Sequence, residues 1–379
     1  MGDDSRQVAQ ANIIVGSWTT ASPDLSAPLS RSMIPTPIVD LRSDTVTRPS
    51  PEMRRVIAEA EVGDAVLGDD PTIAELERLG AELLGKERAL FFPSGIMANQ
   101  TAIIAQAEAG TEAVIDAGGH ILNWEEGAAA AWAGVQLRAV VTADGMLSAE
   151  QVEEAIRPPS PYLPRTSLVC MENTHNGAGG RVLPLAQLRA VAEVAHRRGV
   201  RVHLDGARLP NAAAALGASL AELAGPADTV MVSLSKGLGA PVGSLLAGDA
   251  ATLERGWRIR RRLGGGMRQA GLLAAAGIHA LRQNLGRLGE DHRRARRFAD
   301  ALADVPQLQV PSPETNIVMI DLHDGAPTAD AVVAALAGRG VLLAPFGKRR
   351  LRAVTHLDAD DAGIDRAAGA LREIVAVAR

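Results

Sequence analysis

From Ile38 onward, short β-branched apolar runs alternate with longer Ala/Leu/Glu/Arg stretches, and this rhythm most limits what the chain can become. Runs of strand length fall at 113–116, 136–141, 167–172, 201–205, 229–234 and 244–247. Helical stretches lie between them, such as 185–198, stopped by Gly199. Strand–helix–strand repetition at this spacing predicts an α/β fold, with a mostly parallel sheet covered by helices on both faces. A helical run follows over about 249–303. A smaller α+β pattern then closes the chain: a strand in "TNIVMIDL", a helix over 329–337, extended segments in "GVLLAPF" and "LRAVTHL", and a last helix reaching Arg379. The expected organisation is an extension over 1–36, a large domain over 37–290 and a small C-terminal domain over 291–379. The extension is rich in Ser, Thr, Pro and Asp and reads as disordered.

The chain has 379 residues, long enough for two domains. Aromatic residues make up 2%, so the core must be built from Ala, Val, Leu and Ile. A net charge of −5 argues against nucleic-acid binding. The one basic run, 258–262, reads as a solvated helix face. The lone cysteine, Cys170, sits in an apolar run and reads as a buried thiol, which makes a reducing cytoplasm the default. No apolar stretch nears the roughly 18 residues that span a bilayer, and the N-terminus lacks a signal-peptide pattern. No metal is expected.

In parallel sheets, ligands sit outside the carboxyl ends of the strands, and those ends carry the chemistry here. "VHLDGARLPNA" puts Asp205 after one strand, with Arg208 close behind. "MVSLSKGLGAPVG" puts Lys236 after another, among residues that leave room around it. "FFPSGIMANQ" is a turn opening into a helix, whose first N–H groups suit a phosphate. "DAGGHILNWEEG" puts His120 after a strand, with Glu125 beyond. Each feature alone is commonplace. Together, a phosphate cradle, an acid, an imidazole and an uncrowded lysine meet the needs of pyridoxal phosphate: an amine for the aldehyde, a carboxylate for the ring nitrogen and N–H groups for the phosphate. A Walker loop is excluded by order, because its glycines precede the lysine.

Nine ordered motifs, covering most of the chain from residue 39, resemble the L-threonine aldolases, fold-type I pyridoxal-phosphate enzymes like aspartate aminotransferase. They are "DLRSDTVTRP", "VGDAVLGDDPT", "FFPSGIMANQ", "HILNWE", "ENTHNGAGGRVLP", "HLDGARLPNA", "SLSKGLGAPVGSLLAG", "GGGMRQAG" and "LRAVTH". The resemblance implies retro-aldol cleavage of L-threonine, L-allo-threonine or a related β-hydroxy-α-amino acid to glycine and an aldehyde. The rival outcomes on this scaffold are β-elimination and racemisation. It implies that Lys236 is the Schiff-base lysine, Asp205 the partner of the ring nitrogen, and His120 the imidazole stacked on the ring, its geometry held by Glu125. Ser94, Gly95 and Ile96 would form the phosphate turn. Arg208 would lie near the ring oxygen and substrate, and Ser43 and Arg352 would clamp the substrate carboxylate. Arg268 would reach the phosphate of a neighbouring subunit, in a homotetramer built from dimers that share active sites.

His120, His175 or a phosphate-linked water is the expected base. His175 reads equally as a loop-ordering group, as do Asp44 and Thr45 in their turn; His203 reads as a packed strand residue. Trp124 and Trp132 read as packing residues on one helix. Two departures from the family pattern stand out. Ile96 replaces a threonine, removing one hydroxyl donor to the phosphate, and Leu67 stands where an aromatic residue is usual.

Overall fold

The structure, a computed structural model, describes residues 38–377, so the expected extension lies outside the described residues. The strands are β1 (Val39–Asp40), β2 (Arg88–Phe92), β3 (Glu112–Asp116), β4 (Gln136–Val140), β5 (Thr166–Glu172), β6 (Arg201–Asp205), β7 (Thr229–Ser233) and β8 (Ser244–Gly248). Strands β2 to β8 form one sheet in the order β2-β8-β7-β6-β5-β3-β4. All neighbours are parallel except around β8, which runs against both β2 and β7. Every residue of β3, β7 and β8 is buried, because helices cover both faces and leave no solvent side to alternate toward. β4 lies at the edge and none of its residues is buried.

The smaller unit contains β9 (Leu308–Gln309), β10 (Ile317–Leu322), β11 (Val341–Leu342), β12 (Ala344–Pro345) and β13 (Arg350–Val354). An antiparallel sheet has the order β12-β13-β10-β9. β1 joins this unit by pairing in parallel with β11, Val39 opposite Val341. Val39 and Leu41 are buried in its core with Phe298, Val318, Leu351 and Ile364.

Three sequence expectations change. The segment before "PSG" was read as part of a turn, but Arg88–Phe92 is a strand paired with β8. Trp124 and Trp132 do not share a helix: Trp124 ends the short helix His120–Asn123, and Trp132 lies in the separate π-helical turn Ala129–Ala133. Both are partly exposed. In the basic run, Arg260 turns inward to Glu77 and the Phe91 carbonyl, while Arg258, Arg261 and Arg262 stay exposed.

Candidate functional site

Parallel pairing aligns the carboxyl ends of β5, β6 and β7: Glu172 lies opposite Asp205, and Asp205 opposite Met231. The turn after β7 then carries Lys236 to the same edge of the sheet. No carboxylate among the described residues pairs with its amine. Burial, and next the charge of Arg208, bring the Lys236 amine down to about 8. The glycines around it have a backbone reason. A Cβ on Gly237 would press on Leu288, 3.1 Å away, and Gly239 has φ +78° with Leu357 Cδ2 2.5 Å from where its Cβ would stand. They let the helix at Leu288 and the turn at Leu357 close against the lysine, so the expected clearing is filled by protein on that side.

Asp205 is buried and accepts from the Ala207 N–H at 3.1 Å and from Asn99 Nδ2 at 2.9 Å. The same Asn99 nitrogen donates to Glu125 at 2.8 Å, and Gln100 holds the other Glu125 oxygen at 2.6 Å. Glu125 in turn takes His120 Nδ1 at 3.0 Å, while the His120 backbone N–H donates to Glu172 at 2.7 Å. Burial works against a charged His120 ring, but the bond to Glu125 and the nearby Asp205 outweigh it and raise its pKa. The other ring nitrogen, Nε2, has no partner among the described residues. His120, Glu125 and Asp205 offer atoms within 4.8 Å of one another.

His175 is placed differently. Its Nε2 faces Asp116 at 3.0 Å and its Nδ1 accepts the Ala178 N–H at 3.1 Å, with 2% of the residue exposed. Both ring nitrogens are therefore engaged in ordering the loop.

Arg208 grips Asp44 in a buried bidentate pair, Nε and Nη2 each at 2.7 Å. Burial opposes the Asp44 charge, but Arg208 holds its carboxyl well below the usual range. Arg208 Nη1 reaches Asn176 Oδ1 at 3.2 Å, and Arg352 Nη1 reaches the same oxygen at 3.0 Å. Arg352 has no carboxylate partner among the described residues, and its Nε is buried without an acceptor. Burial and the charge of Arg208 lower it to about 10. Its guanidinium lies 5.3 Å from the Phe346 ring centroid, and Phe346 stacks on Trp124 at 6.2 Å. Ser43 caps the short turn Asp44–Val46 by accepting the Thr45 N–H at 3.2 Å.

The turn at Pro93–Ser94 opens into a helix, as the sequence predicts. Ser94 caps the helix Gly95–Gln106 by accepting the Met97 N–H, leaving the N–H groups of Gly95 and Ile96 without an acceptor among the described residues. Arg268 lies apart from this group, exposed, with Asp64 at 2.8 Å as its partner. Sequence reasoning did not pick out Asn99, Gln100, Asp116, Glu172 or Asn176. The two acids at strand ends, Asp116 and Glu172, carried the same positional signal as Asp205. The amides carried none.

Residues 40–325 match the family model described as beta-eliminating lyase. Low-specificity L-threonine aldolase 1 of Arabidopsis thaliana is 43% identical over 325 residues, 84% of this chain and 91% of the relative. The low specificity L-threonine aldolase of Escherichia coli (strain K12) is 42% identical over 324 residues, 85% of this chain and 94% of the relative. The solved Leishmania major threonine aldolase has the same fold, with a TM-score of 0.77 at 20% identity over 89% of this chain and 99% of that one. Identity above 40% to proteins matched almost end to end, on top of the family match, shows that this chain belongs with the low-specificity L-threonine aldolases of the beta-eliminating lyase family.

Proposed function

We propose that this chain is a pyridoxal-phosphate-dependent aldehyde-lyase that cleaves L-threonine, L-allo-threonine or a related β-hydroxy-α-amino acid to glycine and an aldehyde. The observation that carries this reading is an amine at about 8 at the carboxyl edge of the large sheet, together with a half-buried arginine of the smaller unit, Arg352, that has no acid partner among the described residues. The donor set fits the cofactor: N–H groups at Gly95 and Ile96 and a Lys236 amine that have no hydrogen-bond or ion-pair partner among the described residues, and a buried carboxylate at Asp205. When bound, pyridoxal phosphate supplies the sink for the electron pair of the bond broken at Cα.

The chain's own residues do the rest. Ser94 orders the helix start, and Gly95 and Ile96 hold the phosphate through backbone N–H groups. Arg352 is anchored through Nη1 by Asn176 and through Nη2 by the carbonyl of Arg42, next to Ser43 in sequence; its Nε, which has no acceptor among the described residues, would take the substrate carboxylate. That grip would fix the orientation of the substrate's Cα substituents, which decides which bond at Cα is broken. His120 accepts the β-hydroxyl proton at its unpartnered Nε2, while Glu125 raises the basicity of the ring. His175 orders the loop that carries Asn176. The Arg208 fork is taken up by Asp44, so its role is electrostatic: its charge keeps the Lys236 proton loosely held.

Exposed Leu67 and Arg268 border one surface, where the Ala65 N–H meets the Arg268 carbonyl, and we propose this face as the contact of a homo-oligomer. The small-domain boundary at 290/291 is supported by the separate core at Ala295–Val375 side chains, joined by Val39 and Leu41. No described helix is long and apolar enough to cross a membrane.

The test is incubation with L-threonine and with L-allo-threonine at saturating cofactor. Glycine and acetaldehyde in equal amounts are expected. An α-keto acid with ammonia would favour the β-elimination that the family description names, and a racemised substrate would favour racemisation. Either result, without aldehyde, overturns the proposal.

A further inference from the structure

Behind Asp205 runs a chain of buried polar side chains whose hydrogen atoms can be placed one by one. Asn99 must turn its NH2 group toward Asp205 and Glu125, because its carbonyl would face two carboxylate oxygens. Its Oδ1 then needs a donor and finds His203 Nε2 at 3.1 Å. His203 therefore carries its proton on Nε2, and its Nδ1 accepts from the Thr229 hydroxyl at 2.8 Å. Thr229 Oγ1 in turn accepts from Gln106 Nε2 at 2.7 Å. Burial pushes the His203 pKa down to about 4, so the ring is neutral and its tautomer is fixed by these partners. Asn99 and Gln106 lie two turns apart on the helix Gly95–Gln106, and His203 and Asp205 lie two apart on β6, so both pairs share a face.

We propose that Asn99 and His203 are positioning residues that hold the Asp205 carboxylate aimed at the cofactor's ring nitrogen. The two acids that Asn99 touches do not depend on it equally. Glu125 keeps His120 and Gln100 if Asn99 is lost, whereas Asp205 keeps only the Ala207 N–H. Removing Asn99 therefore leaves the carboxylate held by one bond and free to turn away from the ring nitrogen. His203 acts one step behind, by occupying the Asn99 carbonyl so that the amide cannot rotate. The helix that opens at the phosphate turn thus serves the other end of the cofactor through its second turn. This proposal rests on the assignment of Asp205 to the ring nitrogen.

The experiment is nitrogen-15 solid-state NMR of the full-length protein loaded with pyridoxal phosphate labelled at the ring nitrogen, at one mildly alkaline pH. The wild-type signal is expected at the protonated position. In Asn99→Leu it moves toward the unprotonated position, kcat for threonine falls about tenfold or more, and KM stays close to wild type, since the lost bond was to a charged group. His203→Leu moves the signal the same way by less, and His203→Gln, whose amide can replace the Nε2 donor, restores it. A wild-type signal in Asn99→Leu overturns the proposal. If Asn99→Leu does not fold, a wild-type signal in His203→Leu overturns it instead. A wild-type protein that takes up no cofactor, or whose ring nitrogen is unprotonated, places the fault in the Asp205 assignment and not in Asn99 and His203.

Discussion

Lys236 keeps its amine poised because burial and Arg208 together outweigh the acids around it, and the consequence is a rate that responds to pH. Uptake of pyridoxal phosphate by the cofactor-free protein should accelerate as pH rises through about 8 and level off above, read as growth of the visible absorption band; Lys236→Ala should show no such band at any pH. His203 sets a second pH dependence, this time in stability. Its folded-state pKa of about 4 lies below the free-ring value of 6.5, so the unfolded chain takes up the proton first. The stability it protects is complete above pH 6.5 and is lost as pH falls toward 4, by about 3 kcal/mol. Urea melts of His203→Gln should lose less stability between neutral pH and pH 5 than wild type; equal losses would show that other groups govern acid unfolding. Lys236 and Asp205 were legible in the sequence because several charged groups gathered at the ends of parallel strands mark a ligand site, whereas Arg352, in the middle of β13, came only with the family resemblance. Asn99 and Asn176 were not, because an amide declares its purpose only when its partners, distant in sequence, are known.

At the scale of elements, the helix Gly95–Gln106 shows both sides of this. Its start was visible as Pro-Ser-Gly, and Ser94 caps it as such residues do. The strand before it was hidden, since Arg88–Phe92 is held by its antiparallel partner β8, which lies far along the chain. Ile96 offers the phosphate an N–H and no hydroxyl, and its side chain is exposed at the helix mouth. Ile96→Thr should tighten pyridoxal phosphate by roughly tenfold or more, the worth of one hydrogen bond to a charged group, in an equilibrium titration. The short turn Asp44–Val46 is the counterpart. Its sequence suggested only local order, but Asp44 neutralises a buried arginine. Asp44→Asn leaves Arg208 without a counter-charge and should cost roughly 3–5 kcal/mol in a denaturant melt. It also removes an acid that favours the Lys236 charge, so cofactor uptake in the surviving fold should shift to lower pH.

Across the whole molecule, the larger and smaller units meet at the substrate clamp. Trp124 ends the short helix that His120 opens, Phe346 belongs to the hairpin that carries Arg352, and their stack ties the two sides together. Phe346→Ala should raise KM for threonine several-fold while leaving kcat and cofactor affinity near wild type, because it loosens Arg352 and leaves Lys236 and Asp205 in place. The sequence carried the order of strands and helices well, since each parallel strand is marked by its own apolar run. It did not show that β1 leaves the large domain at once and completes the small one. That detour has a bearing on biosynthesis. Val39 and Leu41 leave the ribosome well before the strand and helix that cover them, at Val341 and Ile364. A nascent chain can assemble the seven-stranded sheet in that interval, yet it must carry those two side chains bare until the later segments follow, a window in which chaperones would find them.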